Sequence, residues 1–145
     1  HEDDQAETLL LQLLRGAGPK GLAAMPVIKS FGRGSHGRPF LSLSRAVLQA
    51  YAVQHQLIWV EDESNADVSL SRNFIRHQVM PVLKSRWPNA ESMLARSAEH
   101  CAESQRLLEE AALQQLQTIA AEGVLSVSQL RQYSPDWQRL LLRTW

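Results

Sequence analysis

Hydrophobic positions along this chain recur mostly at helical spacing. In DQAETLLLQLLR, Leu10, Leu11 and Leu14 fall together, which predicts a helix from Asp4 to Arg15 with these leucines inward. Its acidic first turn suits the positive end of the helix dipole, and Gly16 stops it. GAGPKGLAAMP predicts a turn and one short helix ending before Pro26, and VIKSFGRGSHG (Val27 to Gly37) a short extended piece and a mobile loop. Ser44 caps a helix reaching Gln54 that buries Val47, Leu48, Tyr51 and Ala52. Leu57 to Val60 (LIWV) reads as a short buried strand, and EDESNAD as turn chemistry. Arg72 to Arg86 predicts a helix interrupted or restarted at Pro81 and ended before Pro88. From Ala90 to Ala121 the pattern is one long helix, with Ala90, Leu94, Ala98, Cys101, Leu108, Ala112, Leu116 and Ile119 in a stripe that only Gln105 interrupts. Gly123 stops it, and a brief extended link from Val124 to Val127 precedes short helices reaching Trp145.

These elements predict a mainly α chain with a boundary near Pro88 and Asn89. Six of the seven glycines lie between Gly16 and Gly37, so the first part consists of short, glycine-rich segments like those at the rim of an α/β sheet. The expected organisation is a C-terminal remnant of an α/β domain over residues 1–88, followed by an all-helical domain over residues 89–145. The first part has too few strands for a complete α/β domain and opens on polar HEDDQAET, which reads as a piece starting partway through a larger fold. Over 145 residues, 44% hydrophobic and 21% charged, there is material for a core. The lone Cys101 allows no internal disulfide and falls on the apolar stripe, so it reads as core in a cytosolic-type, cytoplasmic protein. No apolar run approaches the roughly 20 residues of a membrane helix.

Charge changes the picture more than composition does. The formal net charge is zero, yet Glu2, Asp3, Asp4 and Glu7 crowd the start, and no acidic residue follows from Leu9 to Val60. That stretch carries Arg15, Lys20, Lys29, Arg33, Arg38 and Arg45. Glu61, Asp62, Glu63 and Asp67 cluster next, then an all-basic block with Arg72, Arg76, Lys84 and Arg86. Two readings stand: the one-signed blocks pair with each other in the fold, or the basic ones meet an anionic phosphate partner with a cation near the carboxylates.

Three constellations carry candidate chemistry. Asp4, Glu7 and Thr8 share one helical face, either as a hard-oxygen set for a cation such as Mg²⁺ or as a solvated acidic turn. Arg72 and Arg76 lie one turn apart, about 40° around a helix, as a fork for phosphate or carboxylate; the bland reading pairs them with Asp62 or Asp67. Ile75 and Val79 flank them, and Asn73 adds an amide nearby. Arg15, Lys20 and the glycines between them let backbone N–H groups approach a phosphate or an RNA backbone, although neither a Walker signature nor a dinucleotide fingerprint is present. The histidines, His36, His55 and His77 among them, show no zinc spacing. Trp59 and Trp87 read as packing aromatics.

In order, HEDDQAETLLLQLLRGAGPKGLAAM, RPFL and WVEDESNADVSLSRNFIRHQVMPVLKSRWP resemble the tRNA(Ile)-lysidine synthases, densely from His1 to Pro88 and more loosely beyond. The resemblance implies a PP-loop ATP pyrophosphatase with a Rossmann-like domain. Such an enzyme uses ATP and Mg²⁺ to adenylate the C2 oxygen of the wobble cytidine in tRNA(Ile) with a CAU anticodon. Free L-lysine then displaces AMP, and codon reading changes from AUG to AUA. Carried over, Asp4 is the acidic position near ATP and magnesium, and Gln5, Glu7 and Thr8 complete its motif. Arg72 and Arg76 are the arginines expected to meet ATP or tRNA, with Asp4, Arg72 and Arg76 as the catalytic set. Arg15 to Gly21 match the RG-x-GP-x-GL turn and Arg38-Pro39 the RP dipeptide, so that Arg15, Lys20, Arg38, Arg72 and Arg76 are the expected RNA contacts. Asp62, Ser64 and Asn65 match a D-x-SN turn at the active-site wall. Two departures matter. The family's Ser-Gly-Gly-x-Asp-Ser type nucleotide loop is not among these residues, and the family histidine falls one position ahead of His1, which therefore inherits no role. The chain alone is thus expected to be inactive, and a homodimer stands among the assemblies this reading allows. The competing reading is a non-catalytic helical RNA-binding or adaptor module. A tRNA-thiolating relative is disfavoured, since such enzymes commonly need paired cysteines and this chain has one.

Overall fold

The computed structural model describes residues 1–121 and 123–145. It is mostly helical, with short strands in two two-stranded antiparallel sheets among the described residues. Among the described residues no helix is long and apolar enough to cross a membrane. The chain divides into two compact units, His1–Ala102 and Glu103–Trp145.

In the first unit, helix α1 spans Glu2–Leu14 and starts two residues ahead of the position its sequence suggests, because His1 supplies the cap through Nδ1, which accepts from the Asp4 amide at 3.3 Å. The face it buries holds Gln5, Ala6, Glu7 and Leu9. Leu10 and Leu11 pack beside the core, but Leu14 is 77% exposed, against expectation. The inward face is rotated toward the two polar side chains, each of which finds bonded partners. The short α2 (Pro19–Leu22) follows with proline in its first turn.

Ile28–Phe31 (β1) and Gly34–Gly37 (β2) pair as an antiparallel hairpin, where the sequence suggested one extended piece and a mobile loop. Gly32, at φ +57, opens its two-residue turn, the position a tight hairpin reserves for glycine. Helix α3 (Arg45–Gln54) is capped by Ser44, whose hydroxyl accepts from the Val47 amide at 3.3 Å. Leu48 and Ala52 are partly covered, but Val47 and Tyr51 are exposed rather than inward. Leu57 to Val60 is not a strand: no strand runs beside it among the described residues, and Ile58 and Val60 are almost fully exposed. Trp59 and Trp87 are likewise more than half exposed, not packing aromatics.

A 3₁₀ turn (Glu63–Ala66) leads into a continuous helical run made of α4 (Ser71–Phe74), a π turn (Ile75–Val79) and α5 (Met80–Arg86). The break expected at Pro81 takes the form of this π turn. Proline has no N–H to donate and its ring crowds the carbonyl four residues back, so the wider turn just ahead of it absorbs the misfit without ending the helix. Ala6, Ile75, Met80 and Ala90 form the core of the unit, flanked by Leu10, Leu11, Val79, Leu83 and Leu94.

Helix α6 (Ala90–Ile119) contributes to both units. Its buried positions sit toward its two ends, at Ala90, Ala95 and Ala98 and at Ala112, Leu116 and Ile119. Cys101 is only partly buried and Leu108 is exposed, so the apolar stripe is not covered along its middle. In the second unit, β3 (Ala120–Ala121) pairs with β4 (Val124–Leu125), with Gly123 at φ +76 between them. Two helices capped by Ser126 and Ser134 follow, α7 (Val127–Leu130) and α8 (Pro135–Thr144). Leu130 and Leu141 close on Ala112, Leu116 and Ile119, and the Tyr133 hydroxyl donates to Gln115 Oε1 at 2.8 Å.

Candidate functional site

The acidic turn of α1 and the twin arginines meet in the first unit. Asp4, Glu7 and Thr8 stand one turn apart on one face of α1, and Arg72 and Arg76 project from α4 and the π turn. Arg76 grips Glu7 with two parallel bonds, Nε to Oε1 at 2.7 Å and Nη2 to Oε2 at 2.9 Å, and its Nη2 also reaches Asp4 Oδ1 at 3.3 Å. Arg72 donates from Nη2 to Thr8 Oγ1 at 2.6 Å and sets its Nε 3.3 Å from Glu7 Oε2. Glu7 is therefore a buried carboxylate, 3% exposed, with both oxygens engaged by guanidiniums. Such a charge is tolerated inside a fold only when it is paired this fully. The hydrogen bond to Glu7, and secondarily the charges of Glu7, Asp4 and Asp3, raises the Arg76 pKa above its ordinary value, so that guanidinium is permanently charged. Arg72 remains 44% exposed.

The arginines pair with Asp4 and Glu7, not with Asp62 or Asp67. Those two aspartates instead fold their own loop. Asp62 Oδ1 accepts from the Ser64 amide and Asp67 Oδ1 from the Ser69 amide, both at 2.9 Å, and hydrogen bonding from the serine side chains first, and from these amides second, lowers the two pKa values. Asn73, buried on the arginine-bearing helix, donates from Nδ2 to the carbonyls of Ser64 at 2.7 Å and Asp67 at 2.9 Å. His77 Nε2 lies 2.9 Å from the Asn65 carbonyl oxygen. Sequence reasoning placed Asn73 only as an amide beside the arginines and missed that it anchors the loop together with His77. The available signal was their i, i+4 spacing, one position on from Arg72 and Arg76, which puts anchors and fork on adjacent edges of one helix.

Gln5 acts as a clip. Its amide exchanges two bonds with Met25, Nε2 to the carbonyl at 2.9 Å and Oε1 from the amide at 2.8 Å. Arg38 is occupied at the base of the hairpin, its amide donating to the Val27 carbonyl at 2.8 Å and Nη1 to that of Pro26 at 3.0 Å. Lys20 is exposed on α2, and Arg15 caps α1 at the rim of a cleft of about 460 Å³. That cleft is lined by Leu11, Leu14, Val68, Ser69, Ser71, Phe74 and Ile75 besides Arg15, and by none of the five cluster residues. The chemistry-bearing side chains thus form a surface cluster beside an apolar cleft, and Arg15, Lys20 and Arg38 take other places.

Among the described residues no three His, Cys, Asp or Glu side chains converge as a metal cage. Magnesium usually takes only one or two carboxylates and leaves other positions to water and phosphate. Glu7 does not fit that role, because both its oxygens are engaged. Asp4 is engaged more loosely, Oδ1 by Arg76 Nη2 and Oδ2 by the His1 nitrogen, both at 3.3 Å, and with its side chain 28% exposed it is the more available carboxylate of the two.

Residues 1–83 match the PP-loop domain family, and the chain belongs to that family. Over its whole length it is similar to the tRNA(Ile)-lysidine synthase of Vibrio cholerae, at 52% identity over 33% of that protein. The tRNA(Ile)-lysidine synthase of Coxiella burnetii is 47% identical over 99% of the chain and 32% of its own length. That of Pseudomonas fluorescens is 56% identical over 77% of the chain and 25% of its own length. The chain spans about a third of the length of the first two of these relatives.

Proposed function

We propose that this chain is part of a tRNA(Ile)-lysidine synthase, a cytoplasmic ligase that joins lysine to the wobble cytidine of tRNA(Ile) bearing a CAU anticodon. Residues 1–88 supply the C-terminal part of the PP-loop domain, and residues 89–145 supply a helical tRNA-binding extension. The observation that carries this reading is the junction of Asp4, Glu7 and Thr8 with Arg72 and Arg76, across as many as 72 positions of sequence.

The chemistry requires such a junction. An amide-like C2 oxygen is a poor leaving group, so it is first turned into a phosphate ester: the oxygen attacks the α-phosphorus of ATP and pyrophosphate departs. The amine of free L-lysine then attacks C2, and AMP leaves. Negative charge builds on the phosphates in the first step, and fixed donors that need no rearrangement stabilise it. Arg72, steadied by Thr8 and Glu7, is the more exposed donor of the two. Arg76, locked by Glu7, sets the position of the fork. Glu7 and Thr8 act on ATP through the arginines they hold. Asp4 is the residue that would hold Mg²⁺, which when bound offsets triphosphate charge.

The test is lysine-dependent AMP release by the full-length protein on CAU-anticodon tRNA. Arg72→Ala should lower kcat/KM by about a hundredfold, the scale of losing one transition-state donor, and Arg76→Ala should lower it too by displacing the fork. Wild-type turnover in both variants would remove the arginines from the site. Asp4→Asn should raise the Mg²⁺ requirement, and an unchanged magnesium titration refutes its metal role.

A further inference from the structure

The site above leaves the β1–β2 hairpin without a use. All eight of its strand residues are exposed, although two are apolar, Ile28 at 67% and Phe31 at 77%. The register pairs Lys29 with His36 and Phe31 with Gly34. Side chains alternate across a strand, so Lys29, Phe31 and His36 share one face, and Gly34 opposite Phe31 leaves the ring uncovered. Arg33 stands at the turn. Neither Lys29 nor Arg33 makes an ion pair among the described residues. The base of the hairpin is fixed by Arg38 to Pro26 and Val27 and by the Gln5–Met25 clip. It is therefore tied to the turn of α1 that bears Asp4 and Glu7.

We propose that this face of the hairpin is a stacking platform for unpaired RNA, with a base on Phe31 and the backbone phosphates met by Lys29, Arg33 and His36. An aromatic with cations on either side is the arrangement that holds single strands, because every base has a π face and every nucleotide a phosphate. A protein partner would be met by a more apolar face. Here Phe31 is the one apolar residue on it, and glycine and serine fill much of the rest of the hairpin. The inference rests on the tRNA reading above and adds Lys29, Phe31, Arg33 and His36 to the RNA contacts.

The experiment measures binding of the full-length protein to CAU-anticodon tRNA, to a short unpaired RNA and to a paired duplex of equal length, across a salt series. Phe31→Ala should weaken binding of tRNA and of the unpaired RNA by about tenfold, and Phe31→Trp should restore it. The paired Lys29→Gln and Arg33→Gln substitutions should flatten the logarithmic salt slope for the unpaired RNA by about 0.7 for each phosphate no longer neutralised. Wild-type affinity and salt slope in all variants, or a preference for duplex, would overturn the platform while leaving the ligase reading intact. Self-association of the wild type that Phe31→Ala abolishes would also overturn it, since a second copy then covers the ring. A wild-type protein that binds no tRNA would instead sink the ligase reading itself.

Discussion

Glu7 is the residue on which the cluster turns. Its carboxylate is buried between two guanidiniums that are themselves 44% and 19% exposed, so removing the negative charge leaves two neighbouring cations with only the longer Arg76–Asp4 pair to offset them. Glu7→Gln keeps the volume but turns one acceptor oxygen into a donor that confronts Arg76. Breaking a buried pair from one side costs about 3–5 kcal/mol, and the partial exposure of the arginines reduces this to about 2–3 kcal/mol. Urea unfolding should show that loss as a lower midpoint at unchanged slope, and a shift under about 0.5 kcal/mol would mean that the cluster is not a structural unit. The common helical face of Asp4, Glu7 and Thr8, and that of Arg72 and Arg76, were legible from spacing alone. Which carboxylates the arginines take was not. Asp62 and Asp67 are nearer in sequence, but each turns Oδ1 to the amide of its own turn, Ser64 or Ser69, a local alternative that periodicity does not register.

At the level of elements, the loop carrying Asp62 and Asp67 should respond to acid. Both aspartates have lowered pKa values in the fold, caused by hydrogen bonds from Ser64 and Ser69. A depressed carboxylate contributes stability above its unfolded value and loses it as pH falls through its folded one. The turn should therefore keep its order at neutral and mildly acidic pH and lose it only below the ordinary aspartate value of 3.8. The amide resonances of Ser64 and Ser69 report this directly, and a transition centred above that value contradicts the assignment. Helices α1, α3 and α6 were readable because leucine and alanine spacing, Ser44 and the glycines all speak of helix. The hairpin was not, because neither of its faces is buried and no alternation of polarity marks it. Leu57 to Val60 misled in the opposite direction: its composition suits a buried strand, and it lies exposed.

For the whole molecule, two separate cores imply two separable stabilities. Leu141 is fully buried in the second unit, in a core with Ala112, Leu116, Ile119 and Leu130. Leu141→Ala should destabilise residues 103–145 by about 2–5 kcal/mol while amide exchange around Ala6 and Ile75 stays as in the wild type. Uniform loss of protection throughout would show a single cooperative fold. Activity divides differently. The sequence has the arginine fork but no Ser-Gly-Gly-x-Asp-Ser loop, so the 145-residue chain by itself should release no AMP in response to lysine, and measurable release would overturn that expectation.

The amide of Gln5 does for Met25 what an adjoining strand would do, meeting both its hydrogen and its oxygen. Few replacements can imitate a peptide group in that way. Asparagine falls one methylene short, and glutamate sets oxygen against oxygen. Substitution at position 5 would thus unfasten the approach to the hairpin from the helical turn that carries Asp4 and Glu7.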